Sequence, residues 1–537
     1  MRILLLFSTL LFSAGIFAQQ PLLDDFEKNV IGPEQMAACG KLEVFDAAPT
    51  GNYDLKYLRC EWILDPDTMY IEGSVTSLFV PTENISSIYF DCSDSLIIDE
   101  VIYHGFNMTY SLSGNALQIN FPATLPMGTA DSVTVVYHGT PIGSGFGSFA
   151  ITEHETANTI WTLSEPYGAS DWWPCKQTLN DKIDSVDIYV QCPPGYTSGG
   201  PGVLVDTINT LFYTECHWKT NYPIATYLIG VAVSNYESFE LTGSSNGTEV
   251  PIYNMVYPEN FEEAFDGVTA ILPSFSLYAE KYGDYPFAAE KYGQLQFGWG
   301  GGMEHQTMSS VTSFGYDLLN HEMAHQWFGD KITCGSWQDI WLNEGFATFS
   351  SWICYDFSDD PNDYYHAWLK GTRDVIVSKP NGSVFCDDTT SVSRIFDGRL
   401  TYYKGGWLLN MLRGQLGDSL FFTGIKNYIT DTALIYNFAT TPDLIHHLEA
   451  AADTSLTEFF NDWYYGQGFP SYHIFWDCDT SGHLTLAMNQ TTSDPSVNFF
   501  EMKVTLRLKG DSDSMDIVVN NTNPQQFISM NIPFFHG

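Results

Sequence analysis

The side chains best placed to do chemistry together are His321-Glu322-Met323-Ala324-His325. Residues four apart on an α-helix share a face, so both imidazoles can ligate one cation while Glu322 sits beside it, near enough to handle a water molecule. Asn320 can cap or lead this helix and Gly329 can end it. In this composition the five-residue pattern is expected by chance roughly 0.02 times, so a third donor must add weight. A catalytic zinc site takes three protein ligands from His and Glu and keeps one position open. Glu344 follows His325 after eighteen residues, in "QWFGDKITCGSWQDIWLNEGF". A second helix beginning near Asn343 would bring Glu344 back to the His pair. His321, His325 and Glu344 are therefore the expected ligands of a single zinc ion, with Glu322 as general base.

These residues carry a family resemblance. "HEMAHQWFGD...WLNEGFATF" resembles the aminopeptidase N family of zinc metallopeptidases (family M1, gluzincins), which includes the leukotriene hydrolase branch. Gly301-Gly302-Met303-Glu304-His305 is similar to that family's exopeptidase motif, most often Gly-Ala-Met-Glu-Asn. There the glutamate binds the free α-amine of the substrate and the strand pairs with the substrate backbone. Glycines at 298, 300, 301 and 302 let another main chain approach closely, although "GGMEH" alone would read as a Gly-rich turn. Tyr402-Tyr403-Lys404-Gly405 resembles Tyr-x-Lys-Gly, whose tyrosine stabilises the oxyanion; the match falls on Tyr402. "WTLSEPYGASDWWPCK" is similar to a segment that reaches into the site to hold the same amine, which implies Glu165.

The resemblance thus implies Glu322 and Tyr402 as catalytic residues, and Glu304, Glu165, Gly301, Gly302, Met303 and His305 as substrate-binding positions. His305 stands where Asn is usual. The activity implied is zinc-dependent removal of single residues from the amino terminus of peptides. Two alternatives use the same residues: a thermolysin-type endopeptidase, against which the "GGMEH" block argues, and an inactive secreted binding module, against which the complete set of ligands, base and tyrosine argues.

The elements that must position these groups follow from periodicity. From about residue 40 to 237, alternating runs such as "SVTVVYHG" and "DSVDIYVQC" separated by Gly, Pro, Asn and Asp predict strands and turns of a β-sandwich-like domain. Apolar residues then recur at three and four, as in "YDLLNHEMAHQWFGD" and "YKGGWLLNMLRGQLG". Strands return after Gly468-Phe469-Pro470. The expectation is a multidomain α+β protein: a β domain over 19–237, a catalytic domain over 238–466, thermolysin-like by the resemblance, and a short β domain over 467–537. The chain ends where many members of the resembled family continue into a large helical domain.

With 537 residues the chain can form several cores, and 44% hydrophobic content excludes a disordered acidic tail. Only 22 Lys and Arg face 64 Asp and Glu, a formal net charge of -42. Such a surface repels polyphosphate and anionic lipid, so nucleic-acid binding is excluded as a main function. Most of the charge is read as surface; a cationic partner, a peptide with a free amino group, suits the remainder. Met1-Arg2, the apolar run Ile3 to Phe17 and the small Ala18 predict a signal peptide over 1–18, and hence a secreted or periplasmic protein with no membrane insertion of the mature chain. The 10 Cys could pair in an oxidising compartment, although spacing does not reveal which, and a buried free thiol is the alternative for any one of them.

Overall fold

The structure is a computed structural model and describes residues 26–32, 48–143, 146–358, 363–479, 481–510 and 514–532. The expected signal peptide lies outside the described residues.

The first large region is built on an eight-stranded sheet. At its centre Tyr53–Leu64 and Ile71–Pro81 run antiparallel, and Tyr53–Leu64 also pairs in parallel with Val186–Cys192. Strict alternation of buried and more accessible, mostly half-buried positions, as in Ile71–Pro81, gives the sheet one apolar face. Trp62, Trp172, Trp173 and Trp218 are fully enclosed there. A smaller sheet pairs Asn158–Leu163 with Ser148–Glu153 and Ala232–Ser234, and its central strand runs directly toward Glu165.

The hairpin Glu237–Ser245/Thr248–Val256 belongs to a different, five-stranded sheet, continued by Gln294–Gln296, Ser309–Val311 and the edge strand Gly302–Met303. Helices then take over: α1 (Phe261–Tyr282), α2 (Tyr316–Ala324), α3 (Trp341–Asp356), α4 (Tyr364–Ile376), a π-helical turn (Gly398–Lys404), α5 (Gly405–Leu416), α6 (Asp418–Thr430) and α7 (Thr441–Ala452). α7 begins with a capping box between Thr440 and Asp443. The last strands, Pro470–Cys478, His483–Thr492, Met502–Lys509, Ser514–Asn521 and Gln525–Asn531, enclose a separate small core of Leu484, Leu486, Met488, Val519 and Ile532.

None of the nine described cysteines forms a disulfide, and eight of them are buried. The pairing expected from an even count is thus not found among the described residues: these thiols act as small apolar side chains dispersed through the cores. Among the described residues, no helix is long and apolar enough to cross a membrane.

One close approach fixes the helical layer. A Cβ on Gly345 of α3 would lie 3.1 Å from the Cα of Gly405, at the start of α5. The two backbones therefore touch, which holds the residue before Gly345 near the turn before Gly405. A Gly345→Val substitution should force these helices apart, lowering the unfolding free energy by about 1–3 kcal/mol. Denaturant unfolding compared with wild type measures the change.

Candidate metal centre and amine clamp

α2 begins at Tyr316 after Gly315, so Asn320 sits inside the helix and hydrogen-bonds the Tyr316 carbonyl through its side-chain amide instead of capping it. The helix also closes earlier than expected, at Ala324; Gly329 lies beyond it, with φ 135°. His325 occupies the C-cap with φ -57° and ψ -25°, still helical, so it remains one turn from His321 on the same face. Glu344 is in the first turn of α3, which packs against α2.

The three expected ligands converge. His321 Nε2 and His325 Nε2 are 3.1 Å apart, His321 Nε2 and Glu344 Oε2 3.2 Å, and His325 Nε2 and Glu344 Oε2 3.4 Å. Donors bound tetrahedrally at about 2.0–2.1 Å from one zinc ion are separated by about 3.3 Å, so this triangle fits a single ion, and its imidazole and carboxylate donors suit zinc. His325 Nδ1 donates to the Phe328 carbonyl at 3.0 Å, which leaves the Nε2 lone pair facing the other two donors. The sequence offers no signal for this backbone partner, because it depends on how the chain turns after α2. Phe26 lies edge-on to His321 with ring centroids 5.8 Å apart and also packs on Trp368, so a short segment far upstream helps to wall the ligand.

The other expected groups divide into near and far. Ligand atoms of Glu304, Glu322 and His325 lie within 4.8 Å of one another, as do those of Glu165, Glu304 and Glu344. Two β elements from different sheets therefore deliver carboxylates to the place where the two helices deliver donors. Gly302 matters sterically: a Cβ there would collide with the Glu322 carboxylate, so glycine leaves room for Oε1. Gly301 accepts hydrogen bonds from the backbone and hydroxyl of Thr312 at 3.0 Å, anchoring the short edge strand, while the Met303 side chain is buried. Tyr402 lies in the π-helical turn, its ring stacked on His321 at 6.1 Å and 20°. The Tyr402 hydroxyl is buried and has no hydrogen-bond partner among the described residues. π-helical turns recur at functional sites, where they re-aim one side chain without ending the helix.

His305 goes elsewhere. Its ring packs over Gly230, where any Cβ would collide with it, and its Nδ1 is 2.9 Å from the Ser310 hydroxyl. Burial pushes its pKa down to about 3, so it is neutral. This larger residue in the Asn position is thus accommodated by a glycine in the N-terminal β region, and it belongs to the wall between the two regions, apart from the donor cluster.

The electrostatics follow from enclosure: Glu165, Glu304, Glu322, His321, His325, Glu344 and Tyr402 are each no more than 4% exposed. Burial raises Glu304 to about 7 against the opposing pull of His325, and raises Glu322 well above the usual carboxylate range. Burial also lowers His321 to about 4, which keeps its imidazole neutral. Glu344 behaves differently: burial acts to raise it, yet the neighbouring imidazoles, His325 foremost, bring it to about 2. Against the effect of burial, Glu344 and Glu304 raise His325 well above its ordinary value, so this imidazole must give up a proton to ligate a cation, whereas neutral His321 and ionised Glu344 are already in ligating form.

Comparisons with known proteins agree with this geometry. Residues 303–463 match the model of the Peptidase family M1 domain. The chain is 32% identical over 182 residues to aminopeptidase N of Lactobacillus delbrueckii subsp. lactis, covering 32% of this chain and 21% of that protein. It is 25% identical over 406 residues to glutamyl aminopeptidase of Sus scrofa, covering 70% of this chain and 41% of that protein. The chain thus spans well under half the length of these curated relatives. In fold it is similar to an M1 zinc metallopeptidase from Deinococcus radiodurans, crystallised as a mutant with a Tyr-Ser-Ala substrate, with a TM-score of 0.69, 19% identity, and coverage of 81% of this chain and 98% of that one. Segment match, fold and the buried His-His-Glu triangle point the same way: residues 303–463 resemble the Peptidase family M1 domain, and the chain shares its fold with a zinc metallopeptidase of that family.

Proposed function

We propose that the chain is an exported aminopeptidase that hydrolyses the first peptide bond of peptides with a free amino terminus. The observation that carries this reading is the gathering of Glu165 and Glu304 beside Glu344, with ligand oxygens within 4.8 Å of one another. Two buried carboxylates next to a metal ligand are a receptor for an ammonium group one residue away from the reacting carbonyl. The division into regions 19–237, 238–466 and 467–537 is part of the proposal, supported by the separate sheets to which their strands belong. So is export, which rests on the leader-like residues 1–18.

Zinc held by His321, His325 and Glu344 would supply Lewis acidity, polarising the scissile carbonyl and lowering the pKa of water to about 7. Glu322 would accept the proton from the attacking water as its oxygen bonds to the carbonyl carbon. When the carbon–nitrogen bond breaks, Glu322 passes that proton to the leaving amine. The Tyr402 hydroxyl, buried and without another partner among the described residues, would donate to the carbonyl oxygen as charge develops on it. Glu304 and Glu165 hold the substrate ammonium, and the edge strand Gly302–Met303 offers backbone groups for the substrate main chain.

Aminoacyl arylamides and short peptides should be hydrolysed, N-acetylated forms should not, and chelation should abolish turnover, restored by added zinc. Equal cleavage of free and acetylated peptides would transfer the site to the endopeptidase reading. Steady-state kinetics on variants separates the glutamates: Glu322→Gln should lower kcat by about 10²–10⁴-fold with zinc retained. Glu304→Gln should chiefly raise KM for free-amine substrates, also with zinc retained; loss of metal from that variant would contradict the division of roles.

A further inference from the structure

The group that connects the amine clamp to the metal-ligand helix comes from the N-terminal β region. Tyr227 sits in a single 3₁₀ turn, Thr226–Leu228, and is 3% exposed. Its hydroxyl donates to Glu304 Oε1 at 3.5 Å and accepts from the side-chain amide of Asn343 at 3.3 Å. Asn343 immediately precedes Glu344, and its Oδ1 accepts from the Cys334 backbone N–H at 3.1 Å. The amide is thereby fixed in orientation: its oxygen is used by a backbone donor, so its nitrogen faces Tyr227. The Tyr227 hydroxyl must then give its own hydrogen to Glu304. Burial, with Glu304 and Glu165 adding to it, raises the Tyr227 pKa well above its ordinary value, so the phenol keeps that hydrogen.

We propose that Tyr227 is a positioning residue that aims the Glu304 carboxylate at the substrate ammonium and registers it, through Asn343, against the metal ligand Glu344. This rests on the aminopeptidase reading and adds to it the part played by the N-terminal region. A carboxylate buried among others will swing away from like charge unless donors hold it, and a neutral donor does so without neutralising it. A cation in this place would compete with the substrate amine. Tyrosine holds Glu304 while leaving its charge for the ligand. The ring itself is packed edge-on to Trp337 at 5.6 Å, so removing only the hydroxyl preserves the packing.

The test uses the full, zinc-loaded chain with and without Tyr227→Phe, and calorimetry is done in a Glu322→Gln background so that nothing is turned over; the two probes are leucinamide, which carries the free amine, and acetohydroxamic acid, which addresses the metal alone. Leucinamide binding should weaken about tenfold, the size expected for a hydrogen bond to a charged group, with acetohydroxamate affinity, zinc content and melting temperature unchanged. KM for an aminoacyl arylamide should rise in step while kcat stays within about threefold. In a Glu304→Gln background the same change should cost less than about threefold, since Tyr227 acts through that carboxylate. Unchanged leucinamide affinity, equal weakening of both probes, or full additivity with Glu304→Gln would each overturn the inference. A chain with Tyr227 intact that binds acetohydroxamate but not leucinamide would instead remove the aminopeptidase reading, and the role of Tyr227 with it.

Discussion

Four carboxylates and two imidazoles share one enclosed volume: Glu165, Glu304, Glu322, Glu344, His321 and His325, all essentially inaccessible to solvent. Charge in such a place is costly unless it is compensated; burial pushes Glu304 and Glu322 toward their neutral forms, and positive partners from outside the chain would let them stay ionised. Two are specified by geometry. The His-His-Glu triangle has the dimensions of a coordination shell for one metal ion, and the Glu304–Glu165 pair has the chemistry of an ammonium receptor. In the proposed function, the spacing between these two positive partners sets which bond of a peptide is addressed, so the exopeptidase character proposed here rests on the placement of charge.

The surrounding architecture serves to keep those distances short. Helices α2 and α3 supply the ligands, the touching glycines 345 and 405 bring α3 against the turn that carries Tyr402, and Gly302 lets the edge strand pass beside Glu322. The N-terminal β region is part of the site as well. It places Glu165 beside Glu304 and Glu344 and the Tyr227 hydroxyl beside Glu304, and its Gly230 makes space for the ring of His305. Enclosure of the catalytic groups is therefore a property of two packed regions, and neither would complete the site alone.

What could be read from the sequence was local. His321 and His325 are one helical turn apart, so periodicity pairs them, and Glu344 follows at a spacing that lets a second helix return it to them. Strand alternation likewise announced the β regions. The limits of α2 were less legible: Asn320 and Gly329 have the right chemistry for caps, but the helix begins a turn before the first and closes before the second, because local propensity does not set where tertiary packing allows a helix to start. Glu165 was reachable only through family resemblance, since no spacing rule connects it to the zinc helix. Tyr227, Phe26 and the Phe328 carbonyl were not legible, because each acts across the fold. Cysteine number suggested bridges where the fold uses thiols as packing. The overall charge was ambiguous in sequence, and only a handful of the 64 acidic residues have a role at the site.

If buried negative charge demands a cation, metal occupancy should be stoichiometric and should depend on the triangle. Metal analysis of the purified chain after dialysis against micromolar free zinc tests this most directly. The account predicts one zinc per chain for wild type and near-complete loss in a Glu344→Ala variant that remains folded. A folded wild-type chain that holds no zinc under those conditions, or a Glu344→Ala variant that holds it equally well, would contradict it.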